Sequence, residues 1–206
     1  MSDMRIVVGV TGASGAIYAV RTVRALLVVG CEVDLVVSTF GVRLLREEAG
    51  LDLDEETVPE FFARTEGLTD VSGRVVRYEE HDLGAPISSG SYPATGMVVV
   101  PCSTKTLSGI AHGGSLNLIE RAADVTLKER RRLVVVPREA PLNLIHLRNL
   151  LSVTEAGGIV VPAAPGFYQK PETFEDLADF IAGRILNVLG IPQHLFTPWG
   201  MQPEDS

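Results

Sequence analysis

Four charged residues, Arg121, Lys128, Arg138 and Glu139, lie within one stretch, RAADVTLKERRRLVVVPREAP at 121–141, where an acidic chain concentrates its cations. Residues 117–129 carry helical periodicity. Arg121 and Lys128, seven apart, therefore fall two turns apart on one face, with Leu118, Ala122 and Val125 turned towards a core. The apolar run 133–136 reads as a buried strand. A parallel strand delivers the residues after it, here Pro137-Arg138-Glu139, to the carboxyl edge, where open α/β sheets bind ligands. The helix cations and the strand-end arginine are expected to converge on one anionic group, leaving Glu139 to orient a cation or move a proton. Residues 128–132 taken alone read as a solvated basic surface.

Other residues suited to chemistry come directly after predicted strands. Residues 5–10, 11–15 and 16–29 read as strand, glycine-rich turn and helix. Gly12-Ala13-Ser14-Gly15 at a helix start offers free N–H groups, a positive dipole end and a hydroxyl for a phosphate or an electron-rich ring edge. Gly9, Gly12 and Gly15 equally suit tight packing of strand on helix. A nicotinamide site wants an acidic residue ending the second strand, and 32–37 ends instead in Ser38-Thr39. The tyrosine and lysine pair of short-chain dehydrogenases is missing too. In a short helix over 42–49, Glu48 lies near the C-terminus, where a carboxylate opposes the dipole; an exposed residue at a frayed end explains it as well as a functional one. The hydroxyl loop Ser88-Ser89-Gly90-Ser91 can wrap an anion or form a plain turn. After the strand 96–100 comes Pro101-Cys102-Ser103-Thr104-Lys105-Thr106, with Ser103 as helix N-cap and Cys102 as a small core residue rather than a nucleophile.

The elements that must position these residues alternate strand and helix along 206 residues, 46% of them apolar. That order predicts a doubly wound parallel sheet, a Rossmann-like or flavodoxin-like three-layer α/β/α fold, with 1–190 as a single domain. Residues 74–78 add a strand, 52–60 an acidic surface excursion, 143–156 a helix and 158–161 a last strand. In the final helix, 173–189, Arg184 falls in the stripe of Leu177, Ile181 and Val188, so a buried carboxylate or a bound anion is expected beside it. A tail at 191–206 with Phe196 and Trp199 exposed is expected to pack on a neighbouring subunit. A net charge of −8 argues against nucleic acid, and no apolar run is long enough to span a membrane. The start of the chain lacks the pattern of a signal peptide, and Cys31 and Cys102 are too few for a disulfide framework, which suits the cytoplasm. His146 reads as a hydrogen-bonded packing residue, and no histidine or cysteine spacing suggests a metal.

VTGASGA, SSGS, PCSTKTLSGIA, RAADVTLKERRRLVVVPREAPL, PAAPGFY and a closing R-I-L-x-x-L-G-I together resemble the flavin prenyltransferases of the UbiX type, within the flavin-containing cysteine decarboxylase superfamily. The match covers nearly the whole chain, and Phe40 and Gly41 are the atypical positions. The resemblance implies transfer of a dimethylallyl group from dimethylallyl monophosphate to N5 and then C6 of reduced FMN, without a metal. Prenylated FMN would serve a UbiD-type decarboxylase, in ubiquinone biosynthesis or in aromatic acid breakdown. By similarity, Gly12, Ala13, Ser14, Ser38, Ser103, Thr104, Lys105, Thr106 and Arg138 would hold FMN. Lys128, Tyr168 and Arg184, with Ser89 and Gly90, would hold the donor phosphate, and Glu48, Lys128, Glu139, Arg121 and Ser14 would form the catalytic set. A large homo-oligomer, a dodecamer among the candidates, with sites at subunit interfaces is implied as well. The alternatives are an oxidative cysteine decarboxylase, which relies on a histidine that no strand end here supplies, and a non-enzymatic flavin carrier, which needs one phosphate site rather than two.

Overall fold

Runs of β-branched residues form a single parallel sheet of six strands among the described residues, which in this computed structural model are 4–71, 74–197 and 199–200. The strands are β1 (Arg5–Val10), β2 (Glu32–Val37), β3 (Val75–Tyr78), β4 (Gly96–Cys102), β5 (Arg132–Pro137) and β6 (Ile159–Val160). Their order is β3-β2-β1-β4-β5-β6, so the chain winds outwards in both directions from β1 and β4. The crevice between the carboxyl ends of those two strands is the switch point where such sheets take ligands.

Alternation along each strand feeds two apolar layers. Ile6, Val8, Val10, Val98, Val100, Val134 and Val136 face α1 (Ala16–Val28), α2 (Thr39–Ala49), α3 (Val58–Glu66) and α7 (Phe174–Leu189). Val7, Met97, Val99, Leu133 and Val135 face α4 (Thr104–Ala111), α5 (Leu118–Lys128) and α6 (Leu144–Glu155). The three-layer α/β/α architecture is as expected. No helix among the described residues is long and apolar enough to cross a membrane.

Four local expectations are corrected. Residues 52–60 are not all surface loop, because α3 begins within them. Thr57 and Glu60 form a reciprocal capping box, Pro59 sits in the first turn, and Val58, Phe61 and Phe62 are buried. Arg184 is exposed: the buried face of α7 runs through Ala178, Ile181, Ala182, Ile185, Leu186 and Leu189, so the guanidinium needs no buried partner. Phe196 is half-buried on its own chain, with its ring 5.0 Å from that of Phe180, whereas Trp199 is exposed and 201–206 lie outside the described residues. His146 caps α6 with Asn143 rather than filling the core, and Leu144, Ile145, Leu147 and Leu151 of that helix face outwards.

Candidate active site

The loops after β1 and β4 are tied together at the switch point. Thr11 Oγ1 donates to the Pro101 carbonyl at 2.7 Å and accepts from the Ser103 N–H at 2.8 Å. Two helix N-termini open beside this clamp, each capped by a serine: Ser38 accepts from Gly41 N–H at 3.1 Å to start α2, and Ser103 accepts from Thr106 N–H at 3.3 Å to start α4. Between them lies a cleft of about 410 Å³ lined by Gly12, Ser38, Thr39, Phe40, Glu80, His81, Ser103, Lys105, Thr106 and Asn117. Its volume suits a cofactor-sized ligand. Two positive dipole ends, hydroxyls and the Lys105 ammonium suit a phosphate. Phe40, 70% exposed, supplies an apolar wall, and a Cβ on Gly12 would overlap Phe40 Cβ, so the backbone of the first loop approaches the cleft only as glycine.

The α1 N-terminus carries an anion of its own. Gly15, at φ 111°, turns the chain into the helix, and Glu48 Oε2 accepts from the N–H groups of Gly15 at 2.7 Å and Ala16 at 2.9 Å. Burial pushes the Glu48 carboxyl up, but these two N–H groups, the Ser14 hydroxyl and the nearby Arg138 outweigh it, and the group lies below the ordinary carboxylate range. Arg138 Nε donates to the Ser14 carbonyl at 2.8 Å. Ser14, Glu48 and Arg138 thus form one cluster at the carboxyl edge. The first-loop N–H groups expected to be free for a phosphate are therefore partly occupied, and Glu48 at the end of α2 serves another helix's dipole. Glu139, next along the chain, is exposed, with Oε1 accepting from Ala140 N–H at 3.0 Å.

Sequence reasoning passes over three of these residues. Glu80 accepts from Thr39 N–H at 2.8 Å, Thr39 Oγ1 at 3.0 Å and Asn117 Nδ2 at 3.0 Å, joining α2 to the cap of α5. His81 lies on the cleft rim, so a histidine does reach a strand-end position, just past β3. Thr11 makes the clamp. Each lies just beyond a predicted strand and is reachable by the carboxyl-edge rule. The Cys102 thiol is buried and its pKa is pushed up by desolvation, consistent with a core residue. Among the described residues no cluster of three or more histidine, cysteine or carboxylate side chains could hold a metal.

A family model described as Flavoprotein matches residues 1–186. The flavin prenyltransferase UbiX of Halalkalibacterium halodurans is 48% identical over 200 residues, covering 96% of this chain and 94% of that protein. The chain belongs to the UbiX flavin prenyltransferases. AnUbiX (PadA1), solved in complex with FMN and dimethylallyl pyrophosphate, superimposes with a TM-score of 0.85 at 41% identity, covering 97% of this chain and 99% of that one. A dodecameric FMN-dependent UbiX-like decarboxylase from Escherichia coli O157:H7 gives 0.81 at 39% identity, covering 92% of this chain and 97% of that one.

The remaining predicted residues of this UbiX chain lie elsewhere. A crossover helix runs antiparallel to the strand it precedes, so Lys128, the last residue of α5, sits at the amino edge of the sheet while Arg138 and Glu139 sit at the carboxyl edge. The expected convergence of these cations on one anion does not occur within one chain. Lys128 pairs with Glu129 and both lie against Gly90; Arg121 donates to Ser88 O at 3.2 Å and to Asp124 Oδ2 at 3.1 Å. Tyr168 packs edge-on against Phe180 at 5.6 Å and Trp199 at 5.2 Å. Arg184, four residues after Phe180, extends from the same side of α7.

Proposed function

We propose that this chain transfers a dimethylallyl group from dimethylallyl monophosphate to N5, and then C6, of reduced FMN, releasing prenylated FMN for a UbiD-type decarboxylase. The observation that carries this reading is the cleft at the β1/β4 switch point, with serine caps on two helix N-termini, Lys105 and an aromatic wall within a UbiX chain. Reduced FMN, when bound there, supplies the nucleophilic ring atoms. Ser103, Lys105 and Thr106 are assigned to its phosphate, with Gly12, Ala13, Ser14, Ser38, Thr104 and Arg138 completing the FMN set.

Lys128, Tyr168 and Arg184, with Ser89 and Gly90, are assigned to the donor phosphate, where charge builds as the carbon–oxygen bond breaks. Preorganised donors favour that transition state over the ground state, which serves in place of a metal. Glu139, exposed and free of an ion pair among the described residues, is assigned to ring closure, taking the proton that C6 loses while the alkene carbon saturated in the same step gains one. Glu48, held ionised, is assigned to fixing Ser14 and the first loop. Lys128 lies far from Glu139 along the chain's own sheet, so the site is read as shared between subunits, and the outward Leu144, Ile145, Leu147 and Leu151 suit burial between copies. The unpaired, buried Cys31 and Cys102 suit a reducing cytoplasm. A decarboxylase reading would rest on His81, whose ring has no orienting hydrogen bond among the described residues.

Anaerobic incubation with reduced FMN and dimethylallyl monophosphate, followed by mass spectrometry of the released flavin, tests the proposal. A gain of one dimethylallyl unit is expected. Bound but unchanged flavin refutes it and returns the decarboxylase and the carrier.

A further inference from the structure

Asp34 lies in the interior of β2, fully buried, and its Oδ2 has no hydrogen-bond partner among the described residues. Its β1 neighbour is Val7 and its β3 neighbour is Val76. An apolar residue would fill this place without desolvating a carboxylate, so the polar group calls for a reason. Its other oxygen, Oδ1, accepts from the Tyr92 hydroxyl at 3.2 Å and from Arg5 Nη1 at 3.4 Å. Arg5 Nη1 also donates to the Tyr92 hydroxyl oxygen at 2.7 Å, and Arg5 is itself held by Glu32. The tyrosine hydroxyl is therefore fixed in direction by an acceptor and a donor.

Tyr92 ends the hydroxyl loop 88–92. Arg131, just past α5, grips the same loop, donating Nη1 to the Tyr92 carbonyl at 2.8 Å and Nη2 to the Gly90 carbonyl at 2.7 Å. Ser89 Oγ and Ser91 Oγ are 2.9 Å apart, and both serines are exposed. The ends of the Lys128 and Glu129 side chains lie directly over Gly90, where a Cβ would meet them. Two serine hydroxyls and an ammonium thus share one small surface with the Glu129 carboxylate, which pairs with the ammonium and must give way to an incoming phosphate, and the backbone beneath them is held from both sides. An apolar anchor at positions 34 and 92 would set only the depth of the loop, whereas directional hydrogen bonds set its orientation as well.

We propose that Asp34, Arg5 and Tyr92 are positioning residues for the donor phosphate: through the Tyr92 hydroxyl they hold the Ser89-Gly90-Ser91 turn against Lys128 as a preformed anion cradle. This rests on the proposed function, in which Ser89, Gly90 and Lys128 meet that phosphate. No member of the trio touches the donor itself.

The test is Tyr92→Phe in the full-length chain, read by steady-state kinetics in dimethylallyl monophosphate, FMN affinity by fluorescence, and amide hydrogen exchange of 88–92. The expected result is a rise in KM for the donor of about tenfold, corresponding to about 1.4 kcal/mol, with kcat and the FMN Kd within about twofold. Arg131→Lys, which keeps the charge but loses the two-carbonyl grip, moves KM the same way. Inorganic phosphate slows exchange of 88–92 in the wild type and not in Tyr92→Phe. Should Tyr92→Phe fail to fold, Asp34→Asn, which keeps an oxygen for the tyrosine hydroxyl, is read in the same three ways and gives a smaller rise. A lowered Tm with KM and exchange unchanged overturns the positioning role and leaves prenyl transfer standing. A wild-type chain that binds FMN but never prenylates it overturns the proposed function and this inference with it.

Discussion

Two chains, each disabled at one end of the sheet, regain activity when mixed if the site is shared between subunits. Lys128 ends α5 at the amino edge, and Glu139 lies just past β5 at the carboxyl edge. β5 has six residues, so the sheet separates the two by about 20 Å. A five-carbon phosphate cannot bridge that distance. On the proposed assignment Lys128→Ala removes a cation from the donor phosphate and Glu139→Gln removes a proton acceptor, so each variant alone is expected to lose about 10²-fold or more in turnover. In oligomers co-expressed at equal amounts and assembled at random, a site is intact when its Lys128 comes from a Glu139→Gln chain and its Glu139 from a Lys128→Ala chain. Each condition holds half the time, so about one quarter of wild-type activity returns. Mass spectrometry of prenylated flavin formed per protomer measures it. Activity equal only to the mean of the two variants' residual rates would refute the shared site, since every chain then carries a lesion in its own.

Three further outcomes rest on the same geometry. Glu48→Gln loses the carboxylate that caps α1, lowering Tm by a few degrees for about 1 kcal/mol. Because the folded-state pKa of Glu48 is depressed, its stabilisation is present above the unfolded value and lost as pH falls through the folded one; the variant's acid-unfolding curve is accordingly flatter below about pH 4.5. Gly12→Ala sets a methyl group against Phe40 Cβ and weakens FMN binding at least tenfold by fluorescence titration, and adding Phe40→Gly restores most of it; an unchanged Kd in Gly12→Ala would show that the first loop does not approach the flavin. Thr57→Ala breaks the capping box of α3 and costs about 1 kcal/mol in denaturant unfolding, with FMN affinity unaltered.

The layers are legible in the sequence because the strand runs and helix periods carry them, and the carboxyl-edge rule finds Ser38, Ser103, Lys105 and Thr106 around one cleft. The features that escape it depend on partners distant in sequence. Glu48 reads as a carboxylate misplaced on its own helix, when the dipole it serves begins 33 residues earlier at Gly15. For α3 the signal is present: Thr57-x-x-Glu60 is a capping box, and Val58, Phe61 and Phe62 share a face, but the acidic run before them gives the segment the look of a loop. Arg184 reads into the wrong stripe because 177, 181, 184 and 188 are as helical a spacing as the 178, 181, 182, 185 and 189 that the sheet selects. The separation of Lys128 from Glu139 comes from topology alone, since a crossover helix reverses direction and its last residue must lie opposite the end of the next strand. The cation-rich motif is contiguous in sequence, yet in three dimensions it points two ways. A site drawing on both ends therefore requires a second copy of the chain, and the outward apolar face of α6 gives that copy a surface to bury.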